Sequence, residues 1–118
     1  MIFNVKGHIE KIINGTKTQT RRRARANGRI YLIGKTYSIQ PKRTALGIPE
    51  GRIKIMDRWL ELDQDKIDGY CASAEGDYTP EEYESLFEEL NPNWRSRYCY
   101  KFEFIPSLRP SIIKEESI

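Results

Sequence analysis

Residues 97–105 read RYCYKFEFI, with aromatic residues at every second position: Tyr98, Tyr100, Phe102 and Phe104. A period of two in a run rich in aromatics is the mark of a β-strand. Alternation this regular predicts a central or closing strand of a sheet. Working outward, residues 79–92, TPEEYESLFEELNP, carry the clearest helix signal in the chain. Thr79 is placed to cap it, Pro80 suits its first turn, and Glu81 and Glu82 complement the positive end of the helix dipole. Tyr83, Leu86, Phe87 and Leu90 form an apolar stripe, and Asn91-Pro92 ends it. Further back, residues 52–65, RIKIMDRWLELDQD, alternate through Ile53 and Ile55 and then change phase near Trp59, Leu60 and Leu62. That slip predicts one bent strand or two strands with a bulge.

The N-terminal half is read in the same way. Val5, Ile9, Ile12 and Ile13 lie on one face of a short helix over residues 4–14, with Asn4 as cap and Asn14-Gly15 as stop. Residues 16–22, TKTQTRR, are extended in character. GRIYLIG (28–34) and KTYSIQ (35–40) alternate like strands around a turn at Gly34-Lys35, and PKRTALGIPEG (41–51) is loop chemistry. Residues 65–78 are short, polar and broken by glycines. Strands and helices do not follow a βαβ rhythm, so a parallel sheet is not expected. The expected architecture is α+β: a small, mostly antiparallel β-barrel decorated by two or three helices.

A chain of 118 residues makes one domain, and 38% apolar with 11% aromatic residues supplies a core without a staple. We place that domain at 1–106 and a frayed or loosely docked tail at 107–118. No run of 18 apolar residues exists and the N-terminus lacks the apolar core of a secretory signal, so a cytoplasmic protein with no membrane partner is expected. Cys71 and Cys99 form no C-x-x-C pair and His8 is the lone histidine, too few ligands for a zinc site. No metal and no cofactor is expected, and the two cysteines are read as free buried thiols.

The net charge of +3 conceals a division. Residues 11–49 contain no Asp or Glu but ten basic residues: Lys11, Lys17, Arg21, Arg22, Arg23, Arg25, Arg29, Lys35, Lys42 and Arg43. Residues 61–90 hold eleven acids against one Lys. Such a split points to a polyanionic partner for the basic part, or to a basic face neutralised by the acidic half after folding.

The element Gly15, Lys17, Thr18, Thr20, Arg22, followed much later by Ala74-Glu75-Gly76 ahead of the acidic helix, resembles the ASCH family of the PUA-like superfamily. The likeness runs from about Phe3 to Phe104. It implies a PUA-like barrel and a cleft in which the Lys-Thr-x-Thr segment faces the Ala-Glu-Gly segment. It also implies binding of RNA or of a modified nucleoside or nucleotide, in some members with ribonuclease activity. A small bacterial branch removes the acetyl group of N4-acetylcytidine, and matching its motif places catalytic roles on Lys17, Thr20 and Glu75.

The residues admit that chemistry. A Thr hydroxyl becomes a nucleophile when a base takes its proton, and a Lys serves as base once burial or neighbouring cations lower its pKa. Glu75 would then protonate the leaving amine. Lys17, Arg21, Arg22, Arg23, Arg25, Arg29, Lys42 and Arg43 are the expected nucleic-acid contacts. Plainer readings stand beside these. Thr18 and Thr20 can be strand residues, Lys17 a phosphate contact, and Glu75 an internal partner of Arg22. Trp59 and Trp94 read as core or cleft wall, one of Tyr31, Tyr37 and Tyr78 as a base-stacking ring, and His8 as non-catalytic. The acidic helix is a solvated face, or the surface of a protein-interaction module.

Overall fold

A computed structural model describes residues 1–25, 27–65 and 67–107. The elements run α1 (His8–Ile13), β1 (Gln19–Arg23), β2 (Thr36–Ser38), β3 (Gly51–Leu62), α2 (Gly69–Ala74), α3 (Pro80–Leu90) and β4 (Ser96–Pro106). The four strands form one antiparallel sheet in the order β1-β4-β3-β2, so the alternating stretch at 97–105 is a central strand.

The sheet does not close into the expected barrel. β1 and β2 are its two edges, of five and three residues, and closure would need them to pair. GRIYLIG, expected to supply a further strand, runs as loop and turn, which leaves β2 too short to wrap round. The N-terminal segment lies against the β2 side instead, through a single parallel bridge from Ile2 to Gln40. The first helix is also shorter than expected. Gly7, at φ 85°, sits at its N-cap in a left-handed conformation, so the turn begins there and not at Asn4. Residues 65–78, read as broken coil, contain α2, whose N-cap Asp68 accepts from the Cys71 amide at 2.7 Å. Thr79 and Glu82 form a reciprocal capping box on α3. The tail lies, from residue 108 onward, outside the described residues.

The two faces of the sheet have different character. One carries Ile53, Ile55, Tyr100 and Phe102, packed under Met1, Phe3, Ile12 and Ile39. The other carries Arg21, Cys99, Arg97 and Glu61. A bulge decides that arrangement. Ile55 pairs with Phe102 and the next partnered residue, Asp57, pairs with Lys101, so Met56 is an extra residue. Beyond it the side-chain parity of β3 inverts, and Glu61 turns to the face opposite Ile55, across from Arg97. A second core of Ile67, Ala72, Tyr83, Phe87 and Trp94 lies under α2 and α3 and stacks its rings on the arginines of that face.

Candidate functional site

β1 is an edge strand, and a cavity of about 260 Å³ lies along it, between the N-terminal segment and α3. Lys17, Thr20, Arg21, Arg22 and Glu75 all line it. The expected cleft, with the Lys-Thr-x-Thr segment facing Ala-Glu-Gly, therefore has a counterpart in space. The mainchain ties the two together: the Thr18 amide donates to the Ala74 carbonyl at 2.8 Å. Gly76, at φ 135°, turns the chain just after Glu75 and lies against the Lys11 side chain, whose Nζ donates to its carbonyl at 2.6 Å.

Lys17 and Glu75 meet. Lys17 Nζ donates to the Glu75 carbonyl at 2.7 Å and to Glu75 Oε1 at 3.2 Å, with both side chains buried. The second carboxylate oxygen accepts from Arg21 Nη1 at 2.8 Å. Arg21, and not the neighbouring Arg22, is thus the arginine that Glu75 holds. Arg21 spends its other edge on Glu61, through Nε at 2.8 Å and Nη2 at 2.9 Å. Glu61 Oε1 also accepts from Arg97 Nε at 2.9 Å. Arg97 Nη1 ends the series 2.8 Å from Glu84 Oε1, a charge pairing without an aligned hydrogen bond. The result is an alternating line, Lys17–Glu75–Arg21–Glu61–Arg97–Glu84, three cations against three carboxylates. Such a cluster survives burial only because each charge has an opposite neighbour.

The line shifts its members' protonation. Burial lowers the pKa of Lys17, with the Glu75 carboxylate opposing and Arg22 reinforcing. Burial also acts to raise the Glu61 carboxyl, but the hydrogen bonds and charge of Arg21 outweigh it and bring it to about 2. Burial, then the charge of Lys17, lowers His8 to about 4, so it is neutral at pH 7. Its Nε2 lies 2.7 Å from the Tyr78 hydroxyl. His8 lines the cavity wall as a packed neutral group.

The remaining expected residues separate by position. Thr20 is a buried strand residue whose side chain makes no hydrogen bond among the described residues, and it lines the cavity. Arg22 stacks on Phe3, its guanidinium carbon 4.7 Å from the ring centre, and pairs with no carboxylate among the described residues. Arg23 and Arg25 are exposed at the end of β1, along a second, wider groove. Arg29, Lys42 and Arg43 are exposed on loops and line neither space. Trp94 and Trp59 do not line the cavity and instead flank the charged line behind it: Trp94 lies 4.3 Å from Arg97, and Trp59 Nε1 donates to Glu61 at 3.1 Å. Tyr31 and Tyr37 pack against the main core, and both cysteines are free. Among the described residues no His, Cys, Asp and Glu gather as a metal site would need, and no helix is long and apolar enough to cross a membrane.

Glu61, Arg97 and Glu84 are the three members that sequence reasoning missed. Glu84 sits on the helix read as a solvated acidic face, the other two sit in alternating strands, and nothing local separates a solvated Arg from one sealed under a Trp.

The fold has a solved counterpart. A crystal structure of a protein from Enterococcus faecalis V583, described by the family model DUF984, matches 82% of this chain and 69% of its own, with a TM-score of 0.59 and 22% identity. At that identity the likeness speaks for the fold alone, a small antiparallel-sheet domain. No family model matches the chain, and no curated protein does.

Proposed function

We propose that the chain is an ASCH-type domain that binds RNA, or a modified nucleoside or nucleotide, with the base in the cavity beside β1. One observation carries this reading. Lys17, Thr20, Glu75 and Arg22, which the ASCH resemblance brings forward from separate parts of the sequence, line one small, half-open cavity. That space combines apolar walls from Phe3, Leu86 and Phe87 with a few convergent polar groups, as small-ligand sites do. The open edge of β1 adds backbone donors and acceptors that could read a base edge. The test is a titration of single-stranded oligoribonucleotide and of N4-acetylcytidine followed by amide NMR. Shifts centred on Gln19–Arg23 and on residues 74–76 are expected. Shifts confined to exposed loop arginines would remove the cavity from the reading.

A second reading, hydrolysis, is favoured by the free hydroxyl of Thr20 and a buried lysine of lowered pKa, Lys17, lining the same cavity. In an amidohydrolase Thr20 Oγ would attack the acyl carbon as its proton passes to Lys17. The base amine would leave with a proton, and water would then release the acyl group as the acid. Glu75 would hold Lys17 in place and serve the leaving amine. The same three residues could position a 2′-hydroxyl for strand cleavage. Purified protein and a Lys17→Ala variant, each incubated with N4-acetylcytidine, separate the readings by chromatography. Conversion lost in the variant supports the hydrolase, and conversion no greater than the variant's leaves binding alone. Thr20→Ala is expected to abolish turnover and leave binding mostly intact.

A further inference from the structure

Four cations line the cavity wall from β1 and its approach, Lys17, Arg21, Arg22 and Arg23, but among the described residues Glu75 is the one carboxylate there. Both of its oxygens are already taken, Oε1 by Lys17 and Oε2 by Arg21. Arg23 is exposed to solvent at the strand end, and Arg22 is left over. Its Nε is shut away from solvent with no acceptor, and its terminal nitrogens donate to no protein group among the described residues. Phe3 places its ring centre 4.7 Å from the guanidinium carbon, a cation–π contact that holds the side chain without neutralising it. A fixed and uncompensated guanidinium at the wall of a small cavity favours an anion there.

A second observation gives that anion a direction. Arg22 and Arg23 line both the smaller cavity and a wider groove of about 940 Å³. The groove continues past the end of β1 to Arg25, with Asn27, Asn91 and Ser96 as neutral hydrogen-bonding groups and, among the described residues, no Asp or Glu. Arg22 therefore stands at the junction of the two spaces. The inner one suits a single ring system, and the outer one presents arginines and amides in the pattern that suits a tetrahedral oxyanion.

From this we infer that Arg22 forms a phosphate subsite at the mouth of the cavity, and that the preferred ligand is a nucleotide phosphate and not a free nucleoside. The inference rests on the proposed nucleobase cavity and specifies its substrate class. It also divides the basic run: Arg22 receives the phosphate, Arg23 and Arg25 extend its path, and Lys17 and Arg21 serve the protein's own carboxylates. Two sources could carry the phosphate, a free mononucleotide or a strand whose next phosphate follows Arg23 and Arg25.

The experiment is calorimetric titration of the full chain with cytidine, cytidine 5′- and 3′-monophosphates, a short oligoribonucleotide and inorganic phosphate, each at two salt concentrations. Charge-assisted hydrogen bonds to one arginine predict a preference for monophosphate over nucleoside of roughly tenfold or more. In Arg22→Gln that preference should vanish while cytidine affinity holds, and Arg22→Lys should restore part of it. If a strand is the source, Arg25→Gln, at a residue that lines only the groove, should reduce the salt dependence of oligonucleotide binding by about one log unit per log of salt and leave mononucleotide binding unchanged. Equal affinity for cytidine and its monophosphates would overturn the inference and spare the base-binding cavity. So would equal weakening of both by Arg22→Gln. Phosphate binding that depends on Arg22 with no base-dependent gain would do the reverse, and no binding of any probe would overturn both.

Discussion

The two faces of one sheet solve the same packing problem by opposite means. Ile53, Ile55 and Phe102 bury apolar surface on one face, where each side chain contributes independently of its neighbours' charge. On the other, the buried Arg21 and Arg97 flank a half-buried Glu61 in a charged row, where each is tolerable only because the next one is present. The apolar face holds the fold together. The ionic face positions the site, since Glu61 occupies two of Arg21's nitrogens and leaves the third for Glu75.

The largest break in this comparison is Glu61→Ala. It takes the shared carboxylate from two buried guanidinia, leaving Arg21 with Glu75 and Arg97 with Glu84, so a loss of about 3–5 kcal/mol is expected in urea unfolding. A loss comparable to an exposed ion pair would show that water already reaches the row. Acid is the next lever. The Glu61 carboxyl is held at about 2, below its ordinary 4.5. Its stabilisation is therefore complete above pH 4.5 and is lost as pH falls toward 2, amounting to about 3 kcal/mol. His8, lowered to about 4 by burial, adds a loss of the same sign between pH 6.5 and 4. Unfolding free energies measured from pH 7 to 2 should fall across both windows, and the lower one should disappear in Glu61→Gln. Ile55→Val tests the apolar face: a cost of about 0.5–1.5 kcal/mol is expected, the same at pH 7 and at pH 4. A cost that varied with pH would mean that the faces are coupled. Smallest is Arg25→Gln on the exposed rim, which should change stability by less than about 0.5 kcal/mol. A larger effect would place Arg25 in the protein's internal charge balance.

Legibility followed the range over which each feature is specified. α3 was readable because its cap, first turn and apolar stripe lie within one segment. The phase slip in residues 52–65 was readable as a bulge because parity is a local property, although its consequence for Glu61 was not. α2 was missed because it is six residues long, without a stripe of its own, and forms against α3. The barrel failed because strand-like alternation in GRIYLIG did not find a partner to pair with.

The site divides in the same manner. Lys17, Thr20 and Arg22 are close in the chain, so their common place on β1 and its approach was implicit in their spacing, and the resemblance supplied Glu75. The partners of the arginines were not implicit. Arg21 reaches Glu61 across 40 residues and Arg97 reaches it across 36. Sequence alone determined that the N-terminal half would carry an excess of positive charge, and that two strands and a capped helix would form from short-range patterns. The tertiary structure decided which of those charges are neutralised internally and which, as at Arg22, are left facing a cavity. Charge pairing depends on distance in space, and a chain pattern records only distance along the backbone.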